Sequence, residues 1–310
     1  MKNISELFQT KYPLIQGGMA NVATHKLASA VSNAGGLGLV GAGGNDANWV
    51  RDEIRKTKAL TDKPFGVNIM LMSPHAKDIS DVVIEEGVKI VTTGAGNPGV
   101  YMEKWKKAGI IVIPVVPSVA LAIRMERIGA DALVVEGTEA GGHIGQISTM
   151  ALVPQIVDAV SIPVIAAGGI ADKRGVLAAF ALGAKGIQVG TVMLASVEAP
   201  VHENYKLKII KARDTETVVT GVDSGAPVRV LKNRMATQYI KMSKENVPLI
   251  ELEKLTLGSL RKAVYDGNLD EGSFMAGQIS GLIKEIRPVK EIIEYLFDDV
   301  NEYKDNLKII

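Results

Sequence analysis

The sequence contains no cysteine. Disulfides, thiolate metal sites and a thiol nucleophile are therefore excluded. An excess of charge is missing too: 35 basic against 34 acidic residues leave a net charge of +1. No strong field draws such a chain to nucleic acid or to an anionic membrane. No charge-free apolar run approaches the ~18 residues that a membrane span needs. The opening MKNISELFQTKYPLIQGG has no long apolar core behind a basic tip. No secretory leader is expected, and the cytoplasm is the expected compartment. Histidine is scarce, with four residues. No His and carboxylates fall at metal-ligand spacing, so no metal site is expected.

What is present is length and glycine. The 310 residues suit one large domain, or one plus a smaller one, and can bury a full core. Short apolar runs rich in Val and Ile recur: PLIQGGM, LGLVGAG, FGVNIML, KIVTTGAG, IVIPVV, ALVVEG, PVIAAGG and GIQVGT. Their ends lie roughly 20 to 30 residues apart, the span of strand, loop and helix. Between them lie amphipathic stretches such as WVRDEIRKTKAL, VYMEKWKKAG, SVALAIRMERIG and KRGVLAAFALG, several closed by Gly, a helix C-cap signal. Continuous apolar strands alternating with helices describe a parallel sheet buried on both faces. Eight units favour a closed (β/α)8 barrel over an open doubly wound sheet, whose phosphate glycines come early in the chain.

The pattern changes after about residue 198. HENYKLKIIKARD reads as helix, TVVTGVDSGAPVRV as strand and turn, and LEKLTLGSLRKAVYDG as helix. The expected division is a barrel over 1–198, a smaller, mainly helical insertion over 199–272 beside the barrel mouth, and a return to the barrel over 273–310, closed by the helix VKEIIEYLFDDVNEYK.

In such a barrel the active site sits at the C-terminal strand ends. The first run ends in Gln16, Gly17, Gly18 and Met19, and the second in Gly41 to Gly44. The third carries Asn68, the sixth ends in Glu136 followed by Glu139 and His143, the seventh in Gly168 and Gly169, and the eighth in Gln188, Gly190 and Thr191. Read alone, the last glycines either make tight turns or bring backbone N–H groups to a phosphate. Two such turns after the seventh and eighth strands favour phosphate, with Thr191 adding a hydroxyl. No lysine stands at a strand end for a Schiff base. A glycine-lined, mostly uncharged mouth has room for a large planar group, and flavin mononucleotide fits it.

Each of these residues also has a plainer reading. Asn68 is either a satisfied core amide or a ring contact. Met19 and Gln188 can fill core, and Glu136 can serve loop amides. His25, His75 and His202 read as helix-start or surface residues. His143 differs, because it stands in TEAGGHIG, among glycines on the mouth side. An imidazole there can donate a proton near neutrality.

The stretches PLIQGGMA, AVSNAGGLGLVG, DKPFGVNIMLMSP, VTTGAGNP, VIPVVPSVALA, EGTEAGGHIG, PVIAAGGIAD and GSFMAGQISGLI run over nearly the whole length. On them the chain resembles the FMN-dependent enoyl-acyl-carrier-protein reductase II family, a branch of the nitronate monooxygenase-like flavoproteins. The resemblance implies an FMN barrel with the small domain helping to hold the nicotinamide. It implies FMN contacts from Gly18, Met19, Ala20, Asn68, Gly168, Gly169, Gly190 and Thr191, with Glu136, Gly142, Gln188 and Gln278 completing the cofactor site. Gln278 and Ser280, in MAGQISG, return toward the mouth. His143 becomes the residue that acts on substrate beside the flavin. NADH or NADPH is the implied co-substrate, a monovalent cation an implied activator, and a homodimer the implied assembly.

Two departures stand out. Many relatives have Arg-Phe after the Gly-Thr of the eighth strand, where this chain has Val192 and Met193. Many have Gly-His-Pro in the small domain, where this chain has Gly225, Ala226 and Pro227.

The implied reaction is reduction of a trans-2-enoyl thioester on acyl-carrier protein, the last step of fatty-acid elongation. An acidic carrier would meet a basic face, for which the insertion offers Lys206, Lys208, Lys211, Arg213, Arg229, Lys232 and Arg234; a solvated face is the plain alternative. The rival readings are a nitronate monooxygenase, which uses FMN and oxygen without nicotinamide, and a non-catalytic flavin-binding barrel.

Overall fold

The structure, a computed structural model, describes residues 3–307; the outermost residues of the two barrel segments lie outside the described residues. The strands among the described residues are β1 (Leu14–Gln16), β2 (Gly38–Gly41), β3 (Phe65–Met70), β4 (Ile90–Gly94), β5 (Ile111–Val116), β6 (Leu133–Glu136), β7 (Gly142–His143), β8 (Val164–Ala167), β9 (Gly186–Val189), β10 (Thr217–Thr220) and β11 (Val228–Leu231). Eight of them form one parallel sheet in the order β1-β9-β8-β6-β5-β4-β3-β2. A parallel bridge from Ile15 to Leu37 closes it. The eight apolar runs are thus the eight strands of a (β/α)8 barrel.

The runs read as continuously apolar because both faces of each strand are covered. Leu14, Leu133, Val135, Val164 and Ile187 pack outward under one arc of helices, and Val40, Val67, Val91 and Val112 under the other. Helices follow the strands over residues 25–33, 47–60, 76–85, 99–107, 119–127, 149–159 and 173–181. Asp46, Ser118 and Asp172 accept amides of the first turns that they precede. The glycines that mark helix ends, Gly87, Gly109, Gly129 and Gly183, all have positive φ. Gly38 answers a different need. A Cβ there would lie 1.9 Å from the Ala28 carbonyl oxygen, so its absence lets helix 25–33 lie against β2.

Ile15, Leu39, Ile90, Ile113, Val134 and Ile165 fill the barrel interior together with Ile4 and Phe8. Ile4 and Phe8 come from the N-terminal helix Ile4–Phe8, and both are almost wholly buried. A Cβ on Gly186 would come within 3.1 Å of Ile4 Cγ2 and 2.9 Å of the Pro13 carbonyl. This helix therefore plugs the end of the barrel at which the strands begin.

The segment after β9 holds helices Glu203–Ile210, Arg234–Lys244, Leu249–Thr256 and Ser259–Val264 and the antiparallel hairpin β10–β11. The stretch LEKLTLGSLRKAVYDG is two helices, broken at Gly258, whose φ is 72°. The closing stretch VKEIIEYLFDDVNEYK is likewise two, Val289–Phe297 and Val300–Asp305, broken at Asp299 with φ 58°. Phe297 stacks on Tyr12 at 4.9 Å and ties this end to the start of the barrel. No helix among the described residues is long and apolar enough to cross a membrane.

Candidate active site

At the C-terminal end of the barrel the strand register sets two arcs. Gly41, Asn68 and Thr92 are aligned on β2, β3 and β4, and Glu136, Ala167 and Gln188 on β6, β8 and β9. In the first arc the Thr92 hydroxyl donates to Asn68 Oδ1 at 2.8 Å, and Asn68 Nδ2 donates to the Gly18 carbonyl at 3.3 Å. Asn68 is therefore satisfied within the protein and fixed in orientation, although it is only half-buried. Gly18 is the residue that permits this, since a Cβ there would lie 2.2 Å from Asn68 Cβ. Met19 and Ala20 continue past Gly18 and are half-buried. The Met19 sulfur lies 3.6 Å from where a Gly190 Cβ would be.

The second arc is more open in its bonding. Gln188 lies beneath Gly17, its amide 3.7 Å from where a Cβ would stand. The Glu136 carboxyl has no hydrogen-bond or ion-pair partner among the described residues. It keeps an accessible edge at the mouth, yet protein surrounds it as it does an interior group. Desolvation pushes it up to about 7. Glu136 therefore carries a proton for part of its time near neutrality, and it does not serve the loop amides.

At the end of β8, Gly168 and Gly169 take φ of 95° and 79°, a left-handed pair open to glycine at little cost. Among the described residues the N–H groups of Gly168, Gly169, Gly190 and Thr191 have no acceptor. Two turns after adjacent strands thus present unclaimed donors at one side of the mouth. The Thr191 hydroxyl accepts the Gly277 N–H at 2.9 Å, which joins this side to the returning segment. Val192 and Met193, at the first family departure, are buried in the outer core.

His143 lies opposite in kind. It is exposed, and its imidazole has no partner among the described residues. It does not sit in a free loop, as the glycines around it suggested. Gly142 and His143 are the short strand β7, paired antiparallel with β11 so that Val228 faces His143 and Arg229 faces Gly142. The Ile144 N–H adds a bond to the Pro227 carbonyl at 3.1 Å. Gly141 lets the returning segment pass, since a Cβ there would meet the Ala276 carbonyl carbon at 2.6 Å. The Met275 sulfur lies 3.6 Å from where a Gly142 Cβ would be. Gln278 enters through its backbone, donating its N–H to the Glu139 carbonyl at 2.9 Å, while its side chain is exposed. Ser280 is buried and donates to the Gly277 carbonyl at 2.7 Å.

The other histidines are occupied elsewhere or stand at helix starts. His25 Nδ1 lies 2.8 Å from Glu53, His75 precedes helix 76–85, and His202 Nδ1 accepts the Asn204 N–H at 3.1 Å. Of the basic set, Arg229 is buried, and Lys206 donates to the Ser196 and Val197 carbonyls, so neither belongs to a free solvated face. Gly225 and Ala226, at the second departure, form the exposed turn between β10 and β11. No group of three or more His, Asp or Glu able to hold a metal occurs among the described residues.

Sequence reasoning missed the pairing of β7 with the hairpin, and with it Arg229 and Thr149. The Glu139 carboxylate accepts from both the N–H and the hydroxyl of Thr149 at 2.7 Å, and the Gly168 carbonyl is 3.0 Å from the same hydroxyl. Nothing in VRVL marks Arg229 as inward-pointing, because its neighbours Val228 and Val230 lie on the other face of the strand.

A family model described as nitronate monooxygenase matches residues 2–299. The solved structure of FabK from Thermotoga maritima superposes with a TM-score of 0.96 at 50% identity, covering 99% of each chain. A probable nitronate monooxygenase of Staphylococcus saprophyticus is 35% identical, covering 96% of this chain and 97% of its own. A (3aS,4S,5R,7aS)-5-hydroxy-7a-methyl-1-oxo-octahydro-1H-indene-4-carboxyl-CoA dehydrogenase of Mycobacterium tuberculosis is 33% identical, covering 96% and 95%.

Proposed function

The chain belongs to the nitronate monooxygenase family, and from that premise we propose that it is an FMN-dependent enoyl-acyl-carrier-protein reductase using NADH or NADPH. The observation that carries this reading is the pair of turns with unclaimed N–H groups after β8 and β9, facing a mouth that holds one free imidazole. Half the sequence is identical to FabK, the enoyl-acyl-carrier-protein reductase II, and this supports the reductase branch over the monooxygenase.

The residues suit FMN. Gly168, Gly169, Gly190 and Thr191 would hold the phosphate through backbone N–H groups, which need no side-chain charge. Gly18, Met19, Ala20, Asn68 and Gln188 would border the ring, with Glu136 offering a hydrogen bond as donor or acceptor. When bound, the flavin supplies the hydride relay between nicotinamide and substrate. His143 would hydrogen-bond the thioester oxygen and give the proton that the α-carbon needs when the β-carbon receives hydride. The apolar walls of the mouth would keep water from the exchange. The carrier protein would dock on the side of the small domain, where Lys211, Lys232 and Arg234 are exposed. Cytoplasmic location, a homodimer and activation by a monovalent cation belong to the same proposal.

The test is an anaerobic stopped-flow record of flavin absorbance, mixing the protein first with NADH or NADPH and then with crotonyl thioester. Bleaching followed by recovery on adding the thioester is the expected result. Failure to bleach, with oxygen uptake on a propionate nitronate, would transfer the protein to the monooxygenase reading. A colourless protein that takes up no FMN would remove the flavin itself.

A further inference from the structure

Arg229 is 7% exposed and has no carboxylate within ion-pair distance among the described residues. Desolvation holds its guanidinium below the usual range, with the charge of Glu139 in partial opposition. A buried cation without a paired anion is costly, and the neighbouring residues Val228, Val230 and Leu231 show that an aliphatic side chain suits this strand. Something must therefore use the guanidinium. Its Nε–H donates to the Thr138 carbonyl at 3.0 Å, and its Nη1–H donates to Thr217 Oγ1 at 3.1 Å. Thr138 lies between β6 and β7, on the segment that carries His143. Thr217 opens β10. One planar group thus joins the barrel's loop to both strands of the hairpin.

The pairing register fixes what Arg229 can influence. Opposite residues of an antiparallel pair share a face. Val228 shares the face of His143, while Arg229 lies across from Gly142 and points to the other face. Arg229 therefore points away from the imidazole, and its partners are Thr138 and Thr217. It holds the backbone from which the imidazole projects. The other anchors of this segment come from elsewhere: Glu139 to Thr149, and the Glu139 carbonyl to Gln278. Arg229 is the side-chain anchor that the small domain supplies, beside the backbone pairing of β7 with β11 and the Ile144 N–H bond to Pro227.

We propose that Arg229 is a positioning residue for His143, clamping the 138–143 segment onto the β10–β11 hairpin so that the imidazole is borne by the small domain's sheet rather than by the barrel. The proposal rests on His143 acting on substrate. The two donors of Arg229 leave from different atoms of a rigid fork and reach acceptors on different strands, a geometry that a lysine cannot copy. A change in the hairpin thereby reaches His143 without passing through the cofactor seat.

The test uses the full-length, flavin-loaded protein and the variants Arg229→Gln, Arg229→Lys and Thr217→Val. In Arg229→Gln, amide hydrogen exchange at residues 142–144 is expected to rise about tenfold, while the amides of β8 and β9 and the flavin content stay unchanged. Turnover with crotonyl thioester is expected to fall about tenfold in kcat, with KM for the nicotinamide within about twofold. Arg229→Lys is expected to lie between Gln and the parent. Thr217→Val, which removes one acceptor at nearly constant shape, is expected to move exchange in the same direction by about twofold.

Unchanged exchange at 142–144 in Arg229→Gln would overturn the proposal. So would a rise spread evenly through the barrel strands, which marks a merely structural residue. Local exchange that rises in a protein whose parent shows no enoyl reduction would keep the clamp and remove the reductase reading, so the two failures are told apart.

Discussion

The two sides of the mouth are built on different principles. On the side of β8 and β9, the proposed function rests on main-chain donors at the tips of strands locked into the barrel on both edges. On the side of β7, it rests on one side chain carried by a two-residue strand that belongs to a second, three-stranded sheet. A barrel tip is determined by the whole ring, so its geometry is stiff and tolerant of surface change. A short strand added to a hairpin is determined by a few bonds that can be altered one at a time. The seat proposed for the ligand and the group proposed to act on it thus stand on separable parts of the fold.

The sharpest way to break this separation is His143→Ala. Turnover is expected to fall by about two orders of magnitude or more, with flavin content unchanged, as suits the loss of a proton donor. Steady-state rates beside the absorbance of the isolated protein read both at once. Loss of flavin together with rate would merge the two sides.

Glu136 tests the barrel side. Its carboxyl stands at about 7 in the folded protein against 4.5 ordinarily. Between those values the folded chain holds a proton that the unfolded chain has released. The contribution to stability is full below about pH 4.5, falls as pH rises, and is lost above about 7. Glu136→Gln removes that slope. At about pH 8 the variant is expected to be the more stable by about 3 kcal/mol in urea unfolding, with little difference near pH 4. Identical slopes in the two proteins would show that the carboxyl is not desolvated.

A smaller effect is expected from Gly168→Ala. A Cβ there stands 3.0 Å from Thr149 Oγ1 in a backbone with φ of 95°. The left-handed penalty of roughly 1–2 kcal/mol should weaken flavin binding about tenfold in equilibrium dialysis, with turnover per bound flavin preserved. A fall in turnover at full occupancy would contradict the separation from the other direction.

The smallest effect concerns the joint between the sides. Glu139→Gln loses charge where Thr149 donates at the start of helix 149–159. A loss of about 1 kcal/mol in stability is expected, with flavin affinity within about twofold.

The barrel was legible because every strand is sheathed on both faces. ALVVEG and GIQVGT can be little else when each follows an amphipathic stretch closed by a glycine, Gly129 and Gly183. The glycine turns after β8 and β9 were legible for a related reason, since backbone function leaves a composition signal. The joint was not. Two residues have no periodicity, and the partner of Gly142 and His143 lies far along the chain at Val228 and Arg229. Arg229 read as one more cation of a solvated face because charge in a mixed segment usually is. Only its partners, the Thr138 carbonyl and the Thr217 hydroxyl, reveal it as interior. The breaks at Gly258 and Asp299 escaped for the opposite reason, because helical periodicity carries across a single left-handed residue.

The plug formed by Ile4 and Phe8 makes the floor of the barrel continuous with its filling. Ile15, Leu39, Ile90 and Ile113 stack above it, so the ring of strands is a solid block and not a passage. Floor and mouth are then separate problems for the chain. Wear at the floor is felt as lost cohesion of the whole block, while change at the mouth leaves the block standing.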